Sequence, residues 1–189
     1  TIGGSDVIRG NDGQDVLSGG AYGDRIDGNA GEDLIFGDNV RLDRTTGSST
    51  NPRYRELSGS EIYDNGVGTG SPDQALVTGD EQAVVGGAAV WEDFDITIYD
   101  HSDADQAAGL SNFGNDYIAG GAQDDQIFGQ LGDDIIQGDG SIDLVTDAGA
   151  NRDDATNLLT VEASVENASD GDDYIEGNGG DDVIFGNLG

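Results

Sequence analysis

A nine-residue period governs three stretches of this chain and limits the possible folds more than any other feature. Residues 1–39 divide into TIGGSDVIR, GNDGQDVLS, GGAYGDRID and GNAGEDLIF, followed by GDN, and the same frame returns at 111–146 and 168–185. In every complete unit, called a line below, the sixth place is aspartate and the eighth is a branched aliphatic residue. The sixth-place residues are Asp6, Asp15, Asp24, Asp33, Asp116, Asp125, Asp134, Asp143, Asp173 and Asp182.

The other places of a line predict a turn followed by a short strand. Glycine or asparagine recurs in the first, second and fourth places, and both residues tolerate the positive φ of tight turns. Two such lines close one coil of a flattened solenoid. Because side chains alternate along a strand, the eighth-place residues point between two sheets and form a narrow core. A single line cannot bury that core, so stacked neighbours have to stabilise it.

The sixth-place aspartates predict metal sites along the edges of this solenoid. Carboxylates two lines apart lie above one another, and together with the carbonyl oxygens of the turns they form the hard oxygen cage that suits Ca²⁺. Unbroken runs contain the pairs Asp6/Asp24, Asp15/Asp33, Asp116/Asp134 and Asp125/Asp143. A roll that continues through the interruptions adds Asp24/Asp116, Asp33/Asp125, Asp134/Asp173 and Asp143/Asp182. We therefore expect about four to eight calcium ions.

These lines resemble the RTX (repeats-in-toxin) nonapeptide GGxGxDxUx, a calcium-binding repeat. The resemblance covers about half of the chain and is specific there, because ten lines share the sixth-place aspartate and the eighth-place aliphatic residue. It implies an all-β fold, a parallel β-roll built as a two-sheet right-handed solenoid, with calcium between turns two lines apart. It also implies a secreted, extracellular protein.

The frame divides the chain into repeats and insertions. We expect β-roll repeats at 1–39, an insertion at 40–110, repeats at 111–146, a short insertion at 147–167 and further repeats at 168–189. The last four residues begin another line, so we expect the array to continue beyond the end. Within the insertions, the patterns at 40–43, 91–100 and 157–163 predict β-strands, the second by the alternation of Phe94, Ile96 and Ile98 with polar residues.

The register also predicts an apolar outer face. If the ten lines alternate between two sheets, Phe36, Phe128 and Phe185 all fall in the ninth place of even-numbered lines and share one outward surface. Exposed apolar patches of this kind usually contact something. We therefore expect an insertion or a partner chain to cover this face, although aromatic residues also simply favour strands.

Composition excludes several classes of function. The net charge of −32, with seven arginines and no lysine, should repel nucleic acid and anionic lipid. No run of about 20 apolar residues predicts a membrane span. Without cysteine there is no disulfide or thiolate chemistry. His101 is the only histidine, so multi-histidine metal sites are excluded, and a serine triad would have to use His101. We expect no enzymatic activity in this segment.

The sequence therefore favours a calcium-dependent structural module of a secreted or cell-surface bacterial protein, such as an adhesin, a matrix fibre or an S-layer-like component. Such an acidic chain with few bulky apolar residues should fold only when calcium binds. The expected partners are calcium and either further copies of the chain or other domains of the same protein. The alternative is the calcium-binding repeat region of a secreted enzyme or toxin whose catalytic domain lies outside this segment.

Overall fold

The computed structural model describes residues 3–44, 94–99, 113–143, 149–153, 156, 158–162 and 167–188, and His101 lies outside them. All regular structure in these residues is β-strand: β1 (Val7–Asp12), β2 (Val16–Ser18), β3 (Arg25–Ala30), β4 (Leu34–Phe36), β5 (Val40–Arg44), β6 (Phe94–Ile98), β7 (Tyr117–Ala122), β8 (Gln126–Leu131), β9 (Ile135–Asp139), β10 (Gly149–Asp153), β11 (Leu158–Glu162), β12 (Tyr174–Gly179) and β13 (Val183–Phe185). The chain forms two compact units, one of Thr1–Val40 with Ile98–Gly189 and the other of Arg41–Thr97.

Two parallel sheets form the roll of the first unit. One sheet has five strands in the order β1-β3-β7-β9-β13, and the other has four in the order β12-β8-β4-β2. Successive lines contribute strands to alternate sheets, so each strand pairs with the strand two lines away. Ile8 lies beside Ile26 in one sheet, and Leu17 lies beside Ile35 in the other. The predicted all-β parallel roll is confirmed.

The core of the roll is the file of eighth-place residues between the two sheets. Its centre consists of five fully buried isoleucines, Ile26, Ile35, Ile118, Ile127 and Ile136, and Ile8, Leu17 and Ile175 pack against them. Burial decreases towards the end of the array, where the side chain of Ile184 is 47% exposed. The core is narrow because each line contributes only one inward side chain.

The roll continues across both interruptions of the repeat. Strands β3 and β7 pair in register on either side of the first interruption, with Ile26 beside Ile118. Strands β8 and β12 pair across the second, with Ile127 beside Ile175. Lines that are far apart in sequence are therefore neighbours in the sheets.

Each interruption splits one line between its third and fourth places. Residues 37–39 and 114–119 form one such line, and residues 138–140 and 171–176 form the other. The roll therefore has nine lines, one for each strand of its two sheets. The interruptions run over 40–113 and 141–170, which corrects the boundaries expected at 110, 147 and 167.

The predicted line 138–146 is not formed, because its second part leaves the roll. Ser141 donates a hydrogen bond from Oγ to Asp27 Oδ2 on the outer face of the five-stranded sheet, at 2.8 Å. Ile142 is 3% exposed and clusters there with Tyr117. The outer face contains a buried carboxylate and an aromatic ring that need partners, and this segment supplies them. Residues 144–146 lie outside the described residues.

This departure also changes the predicted phenylalanine face. Phe36 and Phe128 lie on the four-stranded sheet as expected, with ring centroids 5.3 Å apart, and both are fully buried. Phe185 lies in the other sheet, beside Gln137, so its predicted place on that face is wrong. The loss of one line shifts every later line to the opposite sheet. The covering of this face by an insertion or a partner chain stays a prediction.

The described parts of the insertions contain further β-structure. Strands β5 and β6 form a two-stranded sheet, and Ile96 is buried in β6 while Thr97 is exposed, as the alternation predicts. In the second insertion, β10 and β11 form an antiparallel hairpin. Strands β5, β6 and β11 match the strands expected at 40–43, 91–100 and 157–163, of which residues 91–93, 100, 157 and 163 lie outside the described residues.

The buried file predicts a strong dependence of stability on position along the roll. Ile127→Ala should lower the free energy of unfolding of the calcium-loaded protein by about 2–4 kcal/mol, because it leaves a cavity at the centre of the core. The same change at the half-exposed Ile184 should cost less than about 1 kcal/mol. Denaturant unfolding followed by circular dichroism measures both, and equal losses would contradict the described core.

Candidate metal centre

Each line after the first begins with a glycine, and at six of these glycines the missing side chain leaves room for two oxygen atoms. A Cβ atom built on Gly10 would stand 2.6 Å from the carbonyl oxygen of Gly28 and 2.8 Å from Asp15 Oδ2. A larger residue would therefore displace both oxygens. The second place turns the backbone with positive φ, as at Asn11 and Asn29, which brings the sixth-place aspartate back against this glycine.

One carboxylate oxygen of seven stacked aspartates accepts a hydrogen bond from the backbone of the neighbouring coil. The amide N–H of one sixth-place aspartate donates to Oδ1 of the next one on the same edge, at 2.7–3.0 Å. Seven such bonds run along the two edges of the roll. They join Asp6 to Asp24, Asp24 to Asp116, Asp116 to Asp134, Asp134 to Asp182, Asp15 to Asp33, Asp33 to Asp125, and Asp125 to Asp173.

The second oxygen of these carboxylates is buried without a hydrogen-bond donor. The atoms concerned are Oδ2 of Asp15, Asp24, Asp33, Asp116, Asp125, Asp134 and Asp173. A buried anionic oxygen without a partner is strongly destabilising, since it has lost water and gained nothing. These atoms therefore indicate that a cation binds at each of these turns.

Six turns combine such an oxygen with a backbone carbonyl, and we call each of these arrangements a cradle. In a cradle, two oxygen atoms lie against the first-place glycine of a line. One is Oδ2 of the sixth-place aspartate of the same line. The other is the backbone carbonyl oxygen of the first-place glycine one coil further on. The six sets are Gly10 with Asp15 and Gly28, Gly19 with Asp24 and Gly37, Gly28 with Asp33 and Gly120, Gly37 with Asp116 and Gly129, Gly120 with Asp125 and Gly138, and Gly129 with Asp134 and Gly177.

The cradles fit a calcium ion. All the available ligands are oxygens, which Ca²⁺ prefers, and carboxylate and carbonyl oxygens are both common in its sites. Among the described residues, no three acidic, histidine or cysteine side chains converge on one point. Backbone carbonyls must therefore supply a large share of each coordination shell, which explains why the glycines matter as much as the aspartates.

Burial raises the pKa of these carboxyl groups in the roll. The pKa of Asp116 rises to about 7, chiefly because the group is removed from water, and the nearby charge of Asp24 raises it further. Burial and neighbouring carboxylates likewise raise the pKa of Asp134 and Asp173 to about 8. The metal-free roll therefore disfavours the charged carboxylates that the turns bring together.

Comparison with known families identifies these turns. The RTX calcium-binding nonapeptide repeat matches the chain in four copies, at residues 3–21, 9–39, 111–145 and 167–189, which together cover about half of it. The chain belongs to the RTX calcium-binding nonapeptide-repeat family. No curated protein and no solved structure matches it. RTX repeats bind calcium and typically occur in secreted proteins, so this chain is a calcium-binding repeat module. Within the part that the structure describes, no helix has the length and hydropathy of a membrane span.

Five of the eight aspartate pairs expected from the sequence are stacked in the RTX roll. They are Asp6/Asp24, Asp15/Asp33, Asp116/Asp134, Asp24/Asp116 and Asp33/Asp125. The predicted pairs Asp125/Asp143, Asp134/Asp173 and Asp143/Asp182 are wrong. Asp125 pairs with Asp173 and Asp134 with Asp182, because one predicted line is missing from the roll.

Asp143 lies apart from the other nine sixth-place aspartates. Its side chain is 65% exposed, and Arg9 Nη2 binds its Oδ1 at 2.7 Å on the outer face of the five-stranded sheet. The sequence pattern ranks Asp143 with the others, since its own line matches the frame. The structure gives it no place in a cradle.

Sequence reasoning missed two buried aspartates, Asp38 and Asp139, in the turns from which the insertions leave. Both are fully buried, and each lies near sixth-place carboxylates. The charges of Asp116 and Asp134 add to the effect of burial in raising the pKa of Asp38. The charge of Asp139 raises the pKa of Asp173 and Asp125. A signal was present in the sequence. Aspartate occupies the second place of a line only at these two positions.

Substitution of a sixth-place aspartate inside a cradle should affect calcium binding differently from substitution of Asp143, which lies outside the cradles. Asp125→Asn should remove at least one bound ion, because it weakens the only carboxylate of its cradle. Asp143→Asn should leave the number of ions unchanged, since Asp143 lies outside the cradles. Isothermal titration calorimetry on both variants measures the difference. Loss of an ion from the Asp143 variant would contradict the described register.

The raised pKa values predict that metal-free protein folds better in acid. The folded state holds protons more tightly than the unfolded chain, whose reference pKa is 3.8, so stability is lost as pH rises through about 7 to 8. In calcium-free buffer, lowering the pH from 8 to 5 should therefore increase the β signal in circular dichroism. With calcium present, acid should weaken ion binding, since protons compete for the same oxygens. Unfolding on acidification without calcium would contradict this assignment.

Proposed function

We propose that this chain is a calcium-dependent structural module of a secreted or cell-surface bacterial protein, such as an adhesin, a matrix fibre or an S-layer-like component. The observation that supports this most directly is the set of seven buried Oδ2 atoms without hydrogen-bond donors. A roll with these atoms and no cation is poorly stable at neutral pH. Calcium therefore acts as a structural part of the fold.

The charge of the chain supports a coupling between folding and calcium binding. At a net charge of −32, the metal-free chain repels itself strongly. The six cradles, together with the Oδ2 atom of Asp173 beside Gly138, accommodate six or seven ions. These ions bring 12 to 14 positive charges to the charge of −32, so the loaded protein keeps a net charge between −20 and −18. It stays acidic and soluble.

The working range of calcium follows from the same coupling. Part of the binding free energy offsets the entropic cost of ordering the chain. The apparent affinity should therefore be that of extracellular calcium modules, with dissociation constants of roughly 10⁻⁴–10⁻³ M. At such an affinity the chain is unfolded where calcium is scarce inside the cell and folded outside it. The rigid roll then forms only after export.

We propose no catalytic role for this segment. The stacked carboxylates of Asp116, Asp125 and Asp134 lie between turns, and each accepts a hydrogen bond from a backbone amide. The alternative is that the roll is the calcium-binding region of a secreted enzyme or toxin whose catalytic domain lies elsewhere. Neighbouring sequence decides between the two, because further repeats favour a fibre or adhesin and a hydrolase motif favours the enzyme.

We also propose that the partners of the roll, besides calcium, are further copies of the chain or other domains of the same protein. Parallel sheets that end in an exposed strand can extend by adding another strand. In this roll the last strand, β13, retains an Ile184 side chain that is half exposed. Sedimentation velocity with and without calcium tests for self-association.

A calcium titration tests the proposed function. Far-UV circular dichroism should change cooperatively from a coil to a β spectrum as calcium is added, while magnesium at the same concentration has little effect because its geometry is more demanding. Calorimetry should count six or seven ions. A folded spectrum that persists in excess chelator would contradict the proposal.

A further inference from the structure

Two turns of the roll differ from the others, and they are the two from which the insertions leave. In the uninterrupted turns the second place has positive φ, at Asn11, Gly20, Asn29, Gly121, Gln130 and Asn178. In the interrupted turns it is aspartate. Neither Asp38 nor Asp139 has positive φ, and both are fully buried. The same residue type thus occurs at both exits, although the insertions differ in length and sequence.

The aspartates provide a hydrogen bond within their own line, whereas several uninterrupted turns make one between coils. In three of those turns the fourth-place N–H donates to the third-place carbonyl one coil further on: from Gly13 to Ala30 at 2.8 Å, from Gly31 to Ala122 at 3.1 Å and from Gly132 to Gly179 at 3.0 Å. In the interrupted turns the fourth-place residue is the first to return from the insertion. Its N–H instead donates to the second-place carboxylate of its own line.

Both exits show this bond. Gly114 N–H donates to Asp38 Oδ1 at 3.1 Å, and Gly171 N–H donates to Asp139 Oδ1 at 2.9 Å. Each bond joins an aspartate two residues before the insertion begins to the first residue after the insertion. Asp38 also accepts a bond from the N–H of Leu131 through Oδ2, at 3.1 Å, which ties the first exit to the neighbouring coil.

The closed turn places a sixth-place aspartate two residues beyond the returning glycine. Asp116 follows Gly114 in this way, and its Oδ2 lies against Gly37 from the other side of the insertion. Asp173 follows Gly171, and its Oδ2 lies against Gly138. Each interrupted site is therefore assembled from two pieces of chain whose ends must be brought together, at an entropic cost that grows with the length of the insertion.

We propose that Asp38 and Asp139 are positioning residues that close the turn beneath each insertion and so keep the two rows of calcium sites continuous. This inference rests on the proposed calcium-dependent function. The role assigned to them is the hydrogen bond that their Oδ1 atoms accept from the returning backbone. The insertions are accordingly carried by the roll without interrupting it.

The test compares alanine and asparagine at position 139 in the full chain. Asparagine retains a side-chain oxygen that can accept the Gly171 N–H bond but lacks the charge of a calcium ligand, whereas alanine lacks both. Asp139→Ala should lose one ion or weaken it by at least about tenfold, as removal of supporting residues around metals does. Asp139→Asn should bind all ions with affinities within about threefold, because asparagine and aspartate are similar acceptors for backbone amides.

Asp12→Ala is the matched control, since Asp12 is an exposed acidic residue in an uninterrupted turn on the same edge of the roll. It should leave the number of ions unchanged. Calorimetry gives the ion count, and circular dichroism reports whether each variant folds with calcium. If Asp139→Ala fails to fold while Asp139→Asn folds and binds fully, the proposal is supported.

Three results would overturn the proposal. Equal losses in the alanine and asparagine variants would show that the carboxylate charge itself is needed. Unchanged binding in Asp139→Ala would show that the turn closes without this bond. A loss in Asp12→Ala as large as that in Asp139→Ala would show a general effect of charge. If the unaltered protein neither binds calcium nor folds with it, the proposed function fails instead, which distinguishes the two.

Discussion

The structure depends on the different contacts that the two carboxylate oxygens of a stacked aspartate make. One oxygen accepts the amide N–H of the aspartate in the preceding coil, as Asp116 does from Asp24 at 2.7 Å. The other is left buried beside a glycine, where only a cation can satisfy it. The first contact fixes the spacing of the coils, and the second makes that spacing dependent on calcium. A line that lost its aspartate would lose both functions.

The nine-residue period follows from these two contacts of the aspartate. A first-place glycine has to face the sixth-place aspartate of its own line and present its carbonyl to the preceding coil, and both contacts need the tight turn between them. The short strand that remains contributes one inward residue, such as Ile118 or Ile127. The core is therefore too narrow to hold the roll against the repulsion between its carboxylates, and the ions must supply the missing stability.

Sites shared between neighbouring coils make spatial order more important than sequence order. Asp24 and Asp116 are neighbours because the strands that follow them pair, although the whole first insertion separates them in the chain. An insertion is tolerated where it leaves these pairings intact. Both insertions leave from the turn, between the third and fourth places, and spare the strands and the sixth-place aspartates.

The sequence alone determined the repeat, the parallel β-roll, the inward file of isoleucines and the type of ion. Each of these depends on local requirements, such as positive φ at Asn29 or the alternation of side chains around Ile26, and the residues of a single line reveal them. The same reasoning could not find the carbonyl partners or Asp38 and Asp139, whose roles depend on contacts between coils or across an insertion.

Only the tertiary structure decided which lines belong to the roll. The line containing Asp143 satisfies the local pattern as well as any other. The preceding Ile142 nevertheless packs on the outer face of the sheet with Tyr117, and Asp143 binds Arg9. This exchange moved Phe185 to the opposite sheet and gave Asp125 a partner in Asp173. The physical reason is that a local pattern shows what a segment can form, whereas competition for buried surface decides what it does form.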